Sequence, residues 1–144
     1  MRQIKKVLST PMLSSFNSVL ILCSLFGLAI NLLIFYPGFM STDTISQLMQ
    51  ARGDAPLTAL HPPAMAIVWR MLIFLTGMDS SMLIFQLGLL WTGICLLSTY
   101  VYKTTSSWKL SLLCVVLPFV PHFINLSGAI WKDVQLAYAL LLAL

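Results

Sequence analysis

The chain has 144 residues, of which 59% are hydrophobic and only 8% charged, and its mean hydropathy is +0.94. Soluble domains carry about 25% charged residues, so eight basic and four acidic side chains cannot cover a soluble globule of this size, and soluble folds are excluded. The formal net charge of +4 comes from scattered basic residues. Because nucleic-acid binding needs a clustered basic patch, we expect lipid headgroups and not nucleic acid to be their partner. The composition predicts an all-α, polytopic membrane protein.

The three cysteines do not indicate a metal site or a disulfide framework. Cys23, Cys95 and Cys114 all lie in apolar stretches, without a CxxC pair or an adjacent histidine. We therefore predict that they are packing residues.

The first predicted span covers residues 16–36, which are uncharged and long enough to cross a hydrocarbon core of about 30 Å. The run is too long for the apolar region of a cleavable signal peptide, and the YPG sequence that follows offers no cleavage pattern. Arg2, Lys5 and Lys6 precede the span. The positive-inside rule therefore predicts a cytoplasmic N-terminus.

Residues 37–80 are predicted to form an outer loop with two juxtamembrane helices. In the first helix Ser41 is the expected N-cap, Asp43 lies in the first turn and Gly53 ends the helix. This pattern is typical of an amphipathic helix at the membrane interface, and its apolar face is expected to carry Ile45, Leu48 and Met49.

The second helix of this loop is predicted over Pro63–Thr76, with proline in its first turn. As a helix it would be only about 21 Å long, and Arg70 lies at its middle. A central arginine costs about 2.5 to 3.5 kcal/mol on insertion scales. We therefore expect this helix to lie in the outer interface and not to cross the membrane.

The second full span is predicted over residues 81–102, followed by a cytoplasmic loop over residues 103–109. If the Arg70 helix stays outside, Lys103 and Lys109 join the N-terminal basic residues inside, and all four aspartates face out. If that helix crosses, both lysines move outside and Arg70 is buried. The positive-inside rule favours the first arrangement.

A third span is predicted over residues 110–126, kinked by Pro118 and Pro121. An outer loop over residues 127–133 follows, and residues 134–144 begin a fourth span that reaches only about half of the bilayer. Helix ends are costly in hydrocarbon, so we interpret the chain as an N-terminal fragment forming a single transmembrane domain. The alternative is a short protein whose last helix is interfacial or buried against a partner.

The candidate chemical groups gather on the predicted outer face. Asp43 has the position of a general base or cation ligand, or of an ordinary helix-start acid. His61, in an HPP turn, is suited to orient that carboxylate or a substrate hydroxyl, or is an interfacial cap. Arg70 either holds a phosphate or anchors the helix to lipid headgroups.

The WKD sequence on the next outer loop has two interpretations as well. Lys132 is suited to hold an anionic phosphate, and Asp133 to position an acceptor or an ion. Alternatively, Trp131 belongs to the aromatic belt, Lys132 extends to the interface, and Asp133 caps the helix that begins at residue 134.

The order of these elements resembles the start of the C-type membrane glycosyltransferases. The sequences YPGFMSTDTISQLMQA, HPPAMAIVWR and SGAIWKD are more similar still to an uncharacterised family of bacterial integral membrane proteins related to that superfamily. The likeness runs over residues 36–133, and the three motifs in order are more specific than HPP alone.

The resemblance implies transfer of a sugar from a polyprenyl-phosphate carrier to an acceptor at the outer face of a bacterial-type plasma membrane. Asp43 and Asp133 match the two outer-loop acids of such enzymes, the first of which acts as a base or binds a metal. His61 is the third expected catalytic residue, and Lys132 or Arg70 is expected to hold the carrier phosphate. The first motif has a single Asp-Thr where those enzymes have paired acids, so a divalent metal is an option and not a requirement.

Two other functions fit the same residues. The C-type glycosyltransferases are several times longer than this chain, so this chain alone is predicted to have no transfer activity. A non-enzymatic accessory protein would instead pack against a larger membrane partner through its kinked span. A transporter-like or lipid-flipping subunit is the third hypothesis. It requires that the helix predicted over Pro63–Thr76, which contains Arg70, lines a water-accessible path.

Overall fold

The computed structural model describes residues 11–58 and 63–143, with side chains from residue 16 onward. His61 and the N-terminal Arg2, Lys5 and Lys6 lie outside the described residues. The described residues confirm the all-α prediction, since their extended backbone pairs only in one isolated parallel bridge, between Phe39 and Ala129.

Seven α-helices follow one another in the described part of the chain. They are α1 (Pro11–Phe35), α2 (Thr42–Arg52), α3 (Pro63–Thr76), α4 (Ser81–Thr105), α5 (Trp108–Val116), α6 (Pro121–Gly128) and α7 (Lys132–Leu142), with a 3-10 turn at Leu117–Phe119. Helix α4 extends a turn further than the sequence predicts. Lys103 therefore belongs to that helix, and only Ser106 and Ser107 separate α4 from α5.

Two helices are long and apolar enough to cross a membrane, namely α4 and residues Phe16–Phe35 of α1. The α5 and α6 segments pass the same test only as a pair, and they meet at a bend of 56°. Pro118 and Pro121 lie at this bend, where each lacks the N–H of a helical hydrogen bond. The predicted kink is confirmed, and the described chain has two or three candidate spans. Helix α3 is a shorter apolar helix.

Helix α2 begins and ends where its sequence predicts. The Ser41 side chain accepts a hydrogen bond from the Thr44 N–H at 3.2 Å, which satisfies one unpaired donor of the first turn. At the other end Gly53 adopts a left-handed conformation with φ of 91°, which favours glycine. Asp43 lies in the first turn, as predicted.

Helix α2 packs a mixed face against the rest of the protein. Leu48 and Ala51 are buried together with the polar side chains of Thr44, Gln47 and Gln50, whereas Ile45 and Met49 are 47% and 49% exposed. The predicted apolar face is therefore divided, because Leu48 joins the core while Ile45 and Met49 stay on the outer surface. The three buried polar side chains face the segment that precedes α7 and the loop after α2, where Thr44 and Gln50 find hydrogen-bond partners.

Helix α4 is the centre of the fold and packs against α1, α5 and α7. At one end, the rings of Phe16 and Tyr102 lie 4.2 Å apart, and Ser111 donates a hydrogen bond to the Ser98 carbonyl at 2.7 Å. Helix α1 is therefore antiparallel to α4, and α5 is antiparallel to it as well. It follows that Lys103 lies at the end of the molecule opposite to α2.

Arg70 ties α3 to the end of α2. Its Nε donates to the Ala51 carbonyl at 2.9 Å, and its terminal nitrogen donates to the Gln50 carbonyl at 2.6 Å. Both carbonyls lie in the last turn of α2, where the regular helical bonds end. The Gln50 carbonyl also accepts from the Gly53 N–H at 3.2 Å. A cation at this position also interacts favourably with the helix dipole.

Replacement of Arg70 by Met is expected to loosen α2, because two charge-assisted hydrogen bonds are lost. We expect the free energy of local unfolding at the end of α2 to fall by about 1 to 2 kcal/mol. The measurement is the rate of limited proteolysis in the segment after Gly53, which should rise. Arg52→Met is the control, since Arg52 contributes only an exposed ion pair with Asp79. Unchanged proteolysis together with weaker binding of a polyprenyl phosphate would contradict this structural role.

Candidate functional site

The turn between α1 and α2 brings the chain against the segment that precedes α7. It contains a cis peptide bond between Tyr36 and Pro37, followed by Gly38 with φ of 112°. A Cβ atom at Gly38 would lie 2.7 Å from the Ile130 Cδ1 atom, which is closer than real Cβ contacts. The backbone conformation therefore requires glycine here, and a Cβ atom would in addition displace the Ile130 side chain.

Backbone pairing then fixes the two segments side by side. The Phe39 N–H donates to the Gly128 carbonyl at 2.9 Å, and the Ile130 N–H donates to the Phe39 carbonyl at 3.0 Å. The Thr44 hydroxyl adds a bond of 2.7 Å to the Ile130 carbonyl. The PGFMSTD and SGAIWKD sequences, far apart in the chain, thus form one structural unit.

A cavity of about 300 Å³ lies between these two segments. This volume is at the lower end of the range of small-molecule sites. Its walls are the first turn of α2 with the residues around it, and the first turn of α7. The lining residues are Ser41, Thr42, Asp43, Thr44, Gln47, Ile130, Trp131, Lys132 and Asp133.

The cavity brings together three of the five predicted site residues, namely Asp43, Asp133 and Lys132. All three side chains are exposed. Asp43 lies in the first turn of α2 and Asp133 in the first turn of α7. Because a helix N-terminus carries a partial positive charge, both helix starts favour negative groups in this cavity.

The prediction that Asp133 caps a helix beginning at residue 134 is wrong in detail. The helix begins at Lys132, its N-cap is Trp131, and no side chain forms a cap hydrogen bond there. The backbone bonds that pair Ile130 with Phe39 keep the chain extended up to Trp131, so the helix starts directly after it. Asp133 therefore occupies the same kind of first-turn position as Asp43.

No family model, curated protein or solved structure matches the chain. The geometry of the cavity and of its surroundings is therefore the basis for a functional proposal.

An apolar groove of about 590 Å³ adjoins the cavity. Three helices line it, with Ala64, Met65 and Val68 from α3, Phe85 and Leu89 from α4, and Lys132, Asp133, Gln135, Leu136 and Ala139 from α7. Lys132 and Asp133 line both the groove and the cavity. The cavity with its two helix N-termini and the apolar groove thus meet at Lys132 and Asp133, an arrangement that suits an amphiphile with one charged end.

The structure does not bring Arg70 to the cavity, since its guanidinium contacts the end of α2. Near that end, Arg52 pairs with Asp79, and the hydrogen bond and negative charge of Asp79 raise the pKa of Arg52. Within the described residues no group of three or more His, Cys, Asp or Glu side chains gathers in metal-binding geometry. The carboxylates of the cavity are Asp43 and Asp133.

Sequence reasoning missed three residues around the site, namely Thr44, Gln47 and Gln86. Gln47 was detectable, because it lies one helical turn after Asp43 and so shares its face. Thr44 and Gln86 act through contacts with backbone carbonyls of residues 127–130. A contact of that kind leaves no local pattern in the sequence.

Proposed function

We propose that the chain forms the amino-terminal portion of a membrane glycosyltransferase-like protein that transfers a sugar from a polyprenyl-phosphate carrier to an acceptor. The observation that carries the proposal is the cavity that unites Asp43, Lys132 and Asp133 and adjoins an apolar groove. An isoprenoid chain suits the groove, and a phosphosugar suits the cavity. The order of the elements resembles the start of the C-type enzymes, and the three sequence motifs resemble an uncharacterised membrane family related to them; both resemblances support the same substrate class.

In the proposed membrane arrangement α1, α4 and the bent α5–α6 pair are three spans, and α7 begins a fourth. Helices α2 and α3 lie at the outer surface of a bacterial-type plasma membrane. The N-terminus and Lys103 are cytoplasmic, in agreement with the positive-inside rule. The cavity then opens at the outer face, where lipid-linked sugars are used.

Each polar group of the cavity has a role in the proposed reaction. Lys132 and the N-terminus of α7 hold the carrier phosphate. Asp43 takes the proton from the hydroxyl group of the acceptor. The oxygen of that hydroxyl group forms a bond to C1 of the sugar, and the bond between C1 and the phosphate oxygen breaks. The polyprenyl phosphate leaves with that bond's electron pair. Asp133 orients the acceptor, and His61 is proposed to assist Asp43.

Replacement of Lys132 by Met tests phosphate binding directly. In detergent-solubilised protein, native mass spectrometry with decaprenyl phosphate is expected to show binding weakened by about tenfold or more, because a charge-assisted contact is lost. Lys109→Met is the matched control, since Lys109 stands beside Trp108 at the opposite end of the molecule.

Equal binding by Lys132→Met and by the unchanged protein would contradict the proposal. Decaprenol, which lacks the phosphate, should bind both proteins alike. If neither amphiphile binds the unchanged protein, an accessory role without a lipid substrate becomes the better interpretation.

A further inference from the structure

We propose that Gln86 is a positioning residue, which with Asn31 and Ser127 holds the Lys132–Asp133 wall of the cavity against the Asp43 wall. The biological purpose of this arrangement rests on the proposed function. Its geometry, however, can be measured without any substrate.

Gln86 lies in the second turn of α4 and is fully buried. Its Nε2 donates hydrogen bonds to the Ser127 carbonyl at 3.1 Å and to the Ala129 carbonyl at 2.9 Å. These two carbonyls flank Gly128, which is the point where α6 ends and the extended segment begins. A single carboxamide thus spans the corner of the chain.

A second set of bonds connects the same corner to α1. The Ser127 hydroxyl lies 2.8 Å from the Asn31 Oδ1 and 2.7 Å from the Ile124 carbonyl, so the two acceptors share its one proton. The Asn31 Nδ2 donates to the Gly27 carbonyl at 3.0 Å. Asn31 and Ser127 are both fully buried. The corner is therefore bonded to α4 on one side and to α1 on the other.

Each backbone carbonyl from Ser127 to Ile130 accepts a hydrogen bond. The Ser127 and Ala129 carbonyls accept from Gln86, the Gly128 carbonyl accepts from the Phe39 N–H, and the Ile130 carbonyl accepts from Thr44. Gln86 donates to two of these four groups, and the Ala129 carbonyl also accepts from the Trp131 N–H at 3.0 Å. The contribution of Gln86 is therefore greatest at the buried Ser127 carbonyl.

Loss of the two Gln86 hydrogen bonds should therefore move the Lys132–Asp133 wall of the cavity away from the Asp43 wall. Without Gln86 the buried Ser127 carbonyl loses this donor, and the Ala129 carbonyl keeps the Trp131 N–H. Because an unsatisfied buried carbonyl is costly, we expect the segment to turn toward other donors. Such a turn would move Trp131 and Lys132, which follow directly, away from α2. A methionine at position 86 fills a similar volume without either donor.

The experiment places nitroxide labels on the two cavity walls. The labels are attached to Thr42→Cys and Trp131→Cys in a protein whose three native cysteines are replaced by serine. Both positions line the cavity and are exposed. The labelled protein is measured by electron paramagnetic resonance in lipid nanodiscs. Dipolar broadening of the spectrum reports the fraction of molecules in which the two cavity walls are close together.

With Gln86→Met we expect the ratio of separated to close walls to rise about tenfold, as the loss of two net hydrogen bonds implies. Thr99→Val is the matched control on the same helix, because Thr99 bonds only to the Cys95 carbonyl of its own helix. A second label pair, at Arg52→Cys and Asp79→Cys, reports whether the fold itself survives, and its broadening should not change.

Gln86→Glu separates hydrogen bonding from space filling. The protonated carboxylic acid donates one hydrogen bond and the carboxylate donates none. Broadening between the cavity labels should therefore be present at acid pH and lost as pH rises through the carboxyl pKa. The protein with Gln86 unchanged, recorded over the same pH range, removes contributions from Asp43, Asp133 and other titrating groups.

Three results would overturn the proposal. The first is unchanged broadening between the cavity labels in Gln86→Met. The second is an equal loss of broadening at the cavity pair and at the control pair. The third is broadening in Gln86→Glu that does not depend on pH. None of them depends on decaprenyl phosphate binding. A failure of the positioning role is therefore distinct from a failure of the proposed function.

Discussion

Replacing Asp43 by Asn is expected to lower sugar transfer by about 100- to 10,000-fold, the usual contribution of a general base. Asparagine keeps the size of the side chain and is tolerated in the first turn of a helix, but it cannot accept the acceptor's proton. The assay measures transfer from a panel of polyprenyl-phosphate hexoses and pentoses in membranes that contain the protein made from its complete reading frame. The fall should appear in kcat, while KM for the donor changes little, because in the proposed mechanism Lys132 and not Asp43 binds the phosphate.

Asp54→Asn is the matched control for this substitution. Asp54 follows Gly53 in an exposed turn and does not line the cavity. It should retain full transfer activity. Full activity of Asp43→Asn would remove the carboxylate from the mechanism, even if decaprenyl phosphate still bound through Lys132.

Local features of the fold could be predicted from the sequence because their causes are local. Ser41 and Gly53 set the bounds of α2 through bonds to their near neighbours, and both predictions are confirmed. The bend near Pro118 has an equally local cause, since proline lacks a backbone donor. The hydropathy of consecutive residues predicts the long apolar helices for the same reason, because it is a local property of the chain.

Contacts between distant segments could not be predicted in this way. The sequence predicts that Asp43 and Asp133 lie on one face, but nothing local to either motif specifies the pairing of Phe39 with Gly128 and Ile130. Arg70 illustrates the same difficulty, because the sequence suggests a phosphate ligand or a lipid-headgroup anchor and does not indicate a contact with the end of α2. Only the packing of α3 on α2 directs its guanidinium to the carbonyls of that helix.

The second large effect is expected from Gly27→Ala, at the crossing of α1 and α4. A Cβ atom at Gly27 would overlap the ring of Trp91, which is almost fully buried. Trp91 also packs on Phe119 at a ring distance of 5.4 Å, so its ring has neighbours on another side. Overpacking of this kind costs about 1 to 3 kcal/mol or more. We expect a clearly lower midpoint of thermal unfolding in detergent.

Gly88→Ala provides the matched control, since nothing lies within 4 Å of a Cβ atom at that position of α4. Alanine is favoured over glycine inside a helix by about 0.5 to 1 kcal/mol, so Gly88→Ala should keep or raise the midpoint. If the overlap with Trp91 is the cause, Trp91→Leu should restore part of the stability that Gly27→Ala removes, and the two substitutions will not be additive. Additive losses would mean that Gly27 acts through something other than this contact. Because Gly27 also supplies the carbonyl that Asn31 binds, a displaced α1 should in addition weaken the bonds that hold the Ser127 corner.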